Sequence, residues 1–107
     1  MNTNFDVIIL TYNSENKILK LLNSLSFQVL KPKNIFLIDS SSKDKTVEIA
    51  KKYKCVVYII DNREFDHGGT RTYAAKLSNS DFLVYLTDDV IFYDENSLKN
   101  LLEWFKD

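Results

Sequence analysis

Phe82-Leu83-Val84-Tyr85-Leu86-Thr87-Asp88-Asp89 sets an unbroken apolar run directly against two adjacent carboxylates. A run of this kind reads as a strand buried on both faces, and such strands belong to parallel sheets covered by helices on each side. The strand delivers Asp88 and Asp89 to its carboxyl end, the edge at which open α/β sheets bind ligands. Neighbouring carboxylates repel each other, so keeping both ionised favours a divalent cation or a hydroxyl-rich ligand nearby. The pair therefore points to metal-assisted chemistry on a phosphate or sugar. The competing reading is a turn or helix-capping cluster, where Asp is equally at home.

Outward from this stretch the chain repeats the same unit. Phe5 to Leu10 is a short apolar strand, and Ile18, Leu21, Leu22 and Leu25 then recur at the spacing of one helical face, with Asn13 or Ser14 as the cap. Pro32 marks the break before a second strand, Ile35 to Ile38, which runs into the polar loop from Asp39 to Asp44. A second helix turns Val47, Ala50 and Tyr53 inward. Val56 to Ile60 is a third strand, rich in β-branched residues, followed by a long loop ending in Gly68-Gly69. Ala74, Ala75 and Leu77 mark a small-faced helix; Leu98, Leu101, Leu102 and Phe105 mark a last one, entered through Asp94. The order βαβαβαβα predicts an α/β fold with a mainly parallel sheet between helix layers.

Composition narrows the function. The chain has 107 residues, enough for one domain over 1–107 with a real core and too few for separate cofactor and substrate domains. Its 14 basic and 15 acidic residues leave no polybasic field, so nucleic acid is not an expected partner. Cys55 is the sole cysteine, which excludes an intrachain disulfide and a cysteine-rich zinc site and favours a reducing, cytoplasmic setting. No apolar stretch reaches the roughly 20 residues that cross a bilayer. Work at the inner face of a membrane is compatible with this.

Polar residues collect after every strand: Thr11-Tyr12-Asn13, Asp39, Asp61-Asn62-Arg63 and Thr87-Asp88-Asp89. In a parallel sheet these ends share one edge, where decorative surface charge has no reason to gather. Asp39 can accept a hydrogen bond from a nucleobase or ribose there, or else close an Asx turn. A calcium loop from Asp39 fails, because Asp44 stands where the turn needs Gly and Ala50 where a Glu must coordinate. Gly68-Gly69 lacks a Walker lysine and a dinucleotide glycine spacing, yet Gly69 can bring a backbone amide to a phosphate at a helix start. Arg71 can reach a diphosphate or base in bidentate fashion, or form a surface ion pair. His67 reads as a loop histidine fixing its turn, with metal ligation as the alternative. Ser40, Ser41 and Ser42 have no triad partners.

Taken together, the motifs resemble the nucleotide-sugar-binding half of a family 2 glycosyltransferase of GT-A fold. Val7-Ile8-Ile9-Leu10-Thr11-Tyr12-Asn13 is similar to that family's opening strand and Thr-Tyr-Asn turn. Ile38-Asp39-Ser40-Ser41-Ser42-Lys43-Asp44-Lys45-Thr46 stands where many members have Asp-Asp-Gly-Ser-Thr-Asp-Gly-Thr. Phe65-Asp66-His67-Gly68-Gly69-Thr70-Arg71 resembles a version frequent in a rhamnosyltransferase branch, and Thr87-Asp88-Asp89 occupies the place of the Asp-x-Asp motif.

The resemblance implies an inverting transferase in which Thr11, Tyr12, Asp39, Gly69 and Arg71 line the nucleotide and diphosphate. It further implies that Asp88 faces the ribose and that Asp89 holds Mn²⁺ or Mg²⁺. It makes deoxythymidine-diphosphate-rhamnose the favoured donor and a saccharide or lipid-linked molecule the acceptor. Two departures stand out: Thr87 replaces the motif's first Asp, and Ser40 replaces the second Asp of the earlier pair. Members continue into an acceptor-binding half that supplies the general base, so no catalytic residue is assigned within 1–107. A truncated chain of this kind is expected to transfer little sugar by itself and to self-associate through the uncovered face. The rival expectations are a nucleotide-sugar-binding module without turnover and a non-catalytic α/β scaffold.

Overall fold

The computed structural model describes residues 4–61 and 67–105, with the backbone alone at His67, Gly68, Thr70, Arg71 and Ala74. Strands and helices alternate as β1 (Phe5–Thr11), α1 (Glu15–Ser26), β2 (Asn34–Asp39), α2 (Thr46–Lys52), β3 (Val56–Ile59), α3 (His67–Leu77), β4 (Phe82–Leu86) and α4 (Ser97–Trp104). The four strands form one sheet in the order β3-β2-β1-β4. Every pairing is parallel, with Val7 beside Ile35 on one flank and Val84 on the other. The chain steps outward from β1 to β2 to β3, then returns to lay β4 on the opposite side of β1. The direction of winding therefore reverses between β1 and its neighbours, which is the topological switch point of a doubly wound sheet.

Alternation along the strands sorts the core into two sides. Phe5, Val7, Ile9 and Leu37 meet Ile18, Leu21, Leu22 and Leu25 of α1, Ala50 of α2, and Leu98 and Leu102 of α4. On the other side Ile8, Phe36 and Ile38 pack with Tyr58, Leu83 and Leu77 of α3. Tyr58 also meets Tyr73 of α3 edge-on, ring centroids 6.3 Å apart. Burying each large aliphatic side chain contributes about 1.5–3 kcal/mol, so β1 anchors the domain because Phe5, Val7, Ile8 and Ile9 are all fully buried. Among the described residues no helix is long and apolar enough to cross a membrane.

Three local expectations change. Of the four residues expected to face inward from α4, Leu98 and Leu102 are buried while Leu101 is 41% and Phe105 60% exposed. The two-turn helix touches the sheet along one i, i+4 row only. Its start is not capped by Asp94, whose carboxylate accepts from the Asn96 amide at 2.8 Å. Instead Gln28, 1% exposed, accepts the Leu98 amide at 3.0 Å through Oε1 and donates to the Asp94 carbonyl at 2.8 Å. Gly68 and Gly69 lie in the first turn of α3 rather than closing a loop. Cys55 is buried just ahead of β3, and burial pushes its thiol up to about 12.

Candidate functional site

The loops after β1 and β2 are locked together at the carboxyl edge. Asn13 and Ser41 both take left-handed backbone, at φ 47° and 60°, a region that Asn tolerates better than Ser. Ser41 is tied down there by donating its hydroxyl to the Ile60 carbonyl at 2.6 Å. The Asn13 amide donates to Ser42 Oγ at 2.8 Å, and Asn13 Oδ1 accepts from the Lys43 amide at 2.8 Å. One residue on, the Ser14 amide donates to Thr46 Oγ1 at 2.8 Å, and Thr46 in turn donates to Asp44. Asp44 also accepts the Glu15 amide at 3.1 Å, so it satisfies the start of α1 from the neighbouring loop. Desolvation raises the Asp44 pKa, but the Thr46 hydroxyl and amide and the Glu15 amide together outweigh it and hold the carboxyl below its ordinary 3.8.

Asp39 lies inside this lock. The expectation placed it beside a ligand and outside the core, whereas the structure buries it completely. Its Oδ1 accepts from the Thr11 hydroxyl at 2.7 Å and from the Ser42 hydroxyl, and its Oδ2 from the Ser42 amide at 2.7 Å. A carboxylate that close to the sheet demands such partners, since leaving it unpaired costs several kcal/mol. Thr11 is buried with it, at 2% exposure. Beside them Ser40, 1% exposed, keeps an Oγ without a hydrogen-bond partner among the described residues.

Across the switch point β4 brings in the paired acids. Asp88 is half-buried and its Oδ2 accepts from the Ser14 hydroxyl at 2.6 Å, a bond that joins the β4 loop to the start of α1. Asp89 is exposed, and its Oδ1 accepts from the Thr87 hydroxyl at 2.7 Å. That hydroxyl first, then the local backbone and Lys17, hold the Asp89 carboxyl below 3.8 against a small opposing desolvation. Lys17 and Lys20 line a cavity of about 190 Å³ that ends on Asp89 and Ile91. The ring of Tyr12, 46% exposed, stands on the rim between the two loops. Gly69 is in the first turn of α3, and the Arg71 side chain, like Phe65 and Asp66, lies outside the described residues.

The structure thus joins Thr11 to Asp39 and sets Asp88 beside Tyr12 through Ser14, which sequence reasoning took for a helix cap. Ser14 makes no side-chain cap bond to α1. No local pattern signals its partner 74 residues away. Among the described residues no three His, Cys, Asp or Glu side chains converge on a point. Asp89 offers one open, ionised oxygen at the rim. That sparse, hard donor set suits Mg²⁺ or Mn²⁺, which take one or two carboxylates and complete their shell with water and substrate phosphates, rather than zinc.

The doubly wound parallel sheet with carboxylates at its switch point is the α/β arrangement of glycosyltransferases of GT-A fold. The sequence model of Glycosyl transferase family 2 matches residues 6–107, and the chain belongs to that family. It is 39% identical over 103 residues to the O-antigen chain rhamnosyltransferase RfbN of Salmonella typhimurium, covering 94% of this chain and 33% of that protein. The crystal structure of S. aureus TarS 1-349 in complex with UDP-GlcNAc superposes with a TM-score of 0.75 at 30% identity, over 95% of this chain and 31% of that one. The mannosyltransferase PcManGT from Pyrobaculum calidifontis, solved in complex with GDP-Man and Mn²⁺, gives a TM-score of 0.82 at 20% identity, over 100% of this chain and 33% of that one. The chain spans about a third of the length of this and a second curated O-antigen chain rhamnosyltransferase, WbaN of Salmonella anatum.

Proposed function

We propose that this chain is the donor-binding part of an inverting glycosyltransferase that takes a sugar from a nucleoside-diphosphate sugar and passes it to a saccharide or lipid-linked acceptor. One observation carries the reading: in a family 2 chain, two adjacent aspartates at the switch point are each oriented by one hydroxyl, with no second side-chain donor among the described residues. The exposed Tyr12 ring supplies a stacking surface for the base, and the open oxygen of Asp88 accepts a pentose hydroxyl. Asp39 acts from beneath by fixing Thr11 and Ser42, and the α3 start with Gly69 and Arg71 serves the diphosphate. Asp89 is the protein ligand for Mg²⁺ or Mn²⁺, which when bound neutralises charge developing on the departing diphosphate. Identity to a rhamnosyltransferase, together with the His67-Gly68-Gly69-Thr70-Arg71 motif, supports deoxythymidine-diphosphate-rhamnose as the donor. The general base is assigned to residues outside 1–107.

Calorimetric titration with dTDP, in Mn²⁺ and in chelator, tests this reading. Binding should strengthen with metal, and Asp89→Asn should remove most of that increment. Equal affinities in the two conditions would refute the metal role.

A further inference from the structure

Lys17 and Lys20 share the cavity of about 190 Å³ with Asn16, Asp89 and Ile91, between α1 and the chain that leaves β4. The spacing of 16, 17 and 20 gathers these three side chains on one side of the helix. A whole ligand needs about 300–1,000 Å³, so this space suits a single functional group. Neither ammonium has a hydrogen bond or an ion pair among the described residues, although the Lys17 charge is felt at the Asp89 carboxylate. Helix stability does not account for Lys17: it lies in the first turn of α1, where a cation opposes the macrodipole. Two ammoniums therefore face one carboxylate, and a divalent cation on Asp89 leaves the cavity strongly positive until an anion enters it.

The place of this cavity separates such an anion from the donor. Helix α1 covers one face of the sheet, over Val7 and Ile9, and α3 covers the other, over Ile8 and Ile38. A diphosphate shared by Asp89 and the α3 start reaches toward the α3 face, away from the lysines. We infer that the cavity is a phosphate subsite for the second substrate: Lys17 and Lys20 hold a phosphate group of the acceptor beside the donor's metal, and so select phosphate-bearing acceptors. The assignment to the acceptor rests on the donor site proposed above, whereas the anion site itself does not. A sugar phosphate and a lipid phosphate share this chemistry.

Calorimetry on the intact protein, saturated with dTDP and Mg²⁺, tests the inference with glucose 1-phosphate and farnesyl phosphate as probes and glucose as the blank. Both phosphates should bind and glucose should not. Farnesyl phosphate binding tighter by about tenfold assigns the group to a lipid carrier, and equal affinities assign it to a sugar phosphate. The Lys17→Ala/Lys20→Ala pair should weaken the phosphates about tenfold and keep dTDP within about twofold of wild type. Lys17→Arg/Lys20→Arg should retain binding, and Lys51→Ala/Lys52→Ala, an equal change of charge in the last turn of α2, should alter nothing. Equal losses in the two alanine pairs, phosphate binding only in the absence of dTDP, or a wild type that binds dTDP and neither phosphate overturns the inference and leaves the donor site standing. A wild type that binds the phosphates and not dTDP removes the donor reading and the acceptor role, and keeps the anion site.

Discussion

Asp6 and Asp39 sit at opposite ends of the sheet, yet they resemble each other more than either resembles Asp88 or Asp89. Both are fully buried and receive three hydrogen bonds spread over both oxygens, Asp6 from the Asn34 amide, the Asn34 side chain and the Ser78 hydroxyl. Asp88 and Asp89 each receive one side-chain donor, a hydroxyl, and stand at the rim. The same side chain thus occupies two settings, and the number of internal partners separates them. A saturated carboxylate belongs to the fold, whereas one anchored on a single oxygen is oriented and still able to bind.

The largest effects should fall on the saturated pair. Asp39→Ala strands the Thr11 hydroxyl and both Ser42 donors, and a loss of about 3 kcal/mol in urea denaturation is expected, with Asp6→Ala comparable. A loss under about 1 kcal/mol at Asp39 would erase the distinction between the buried and the rim carboxylates. Asp89→Asn should leave the melting temperature of the protein unchanged and weaken dTDP binding in Mn²⁺ about tenfold. Thr87→Val keeps the shape and removes the hydroxyl that lowers the Asp89 pKa. Its carboxyl should titrate higher in an NMR pH series, with metal-dependent binding falling a few-fold.

The smallest effect concerns acid. The Asp44 carboxyl is depressed on folding, so its contribution is fully present above the unfolded value near 3.8 and disappears as pH falls through the lower folded value. Melting temperature followed below pH 4 should decline less steeply in Asp44→Asn than in wild type. Parallel curves would show that the Glu15 and Thr46 contacts contribute nothing to stability.

Much of the architecture was legible because it is written in short-range patterns. Apolar runs at 5–10, 35–38, 56–60 and 82–86 all became parallel strands, and the polar residue after each marked the carboxyl edge. Two of the misreadings come from partners distant in sequence. Asp39 looked like a rim residue because an apolar strand precedes it, but Thr11 and Ser42 enclose it. Gln28 carries no signal as the cap of a helix 70 residues away. Leu101 and Phe105 fit the helical period and still lie outward, since two turns can press only one row onto the sheet.

The interlocked loops have a further consequence for the chain's entropy. The bonds joining 11–15 to 39–46 span separations of 28 to 32 residues, and formed singly each would need its own closure of a loop that long. The parallel pairing of β1 with β2 already brings those segments together from Asp6 and Asn34 to Thr11 and Asp39. Closure cost depends only weakly on loop length, about 0.6 kcal/mol per doubling, so one closing event serves the whole set. Once the two strands have zipped, each later bond forms almost locally. The lock should therefore assemble late and as a unit, and its amides at Asn13, Lys43 and Lys45 should share one opening free energy in hydrogen exchange.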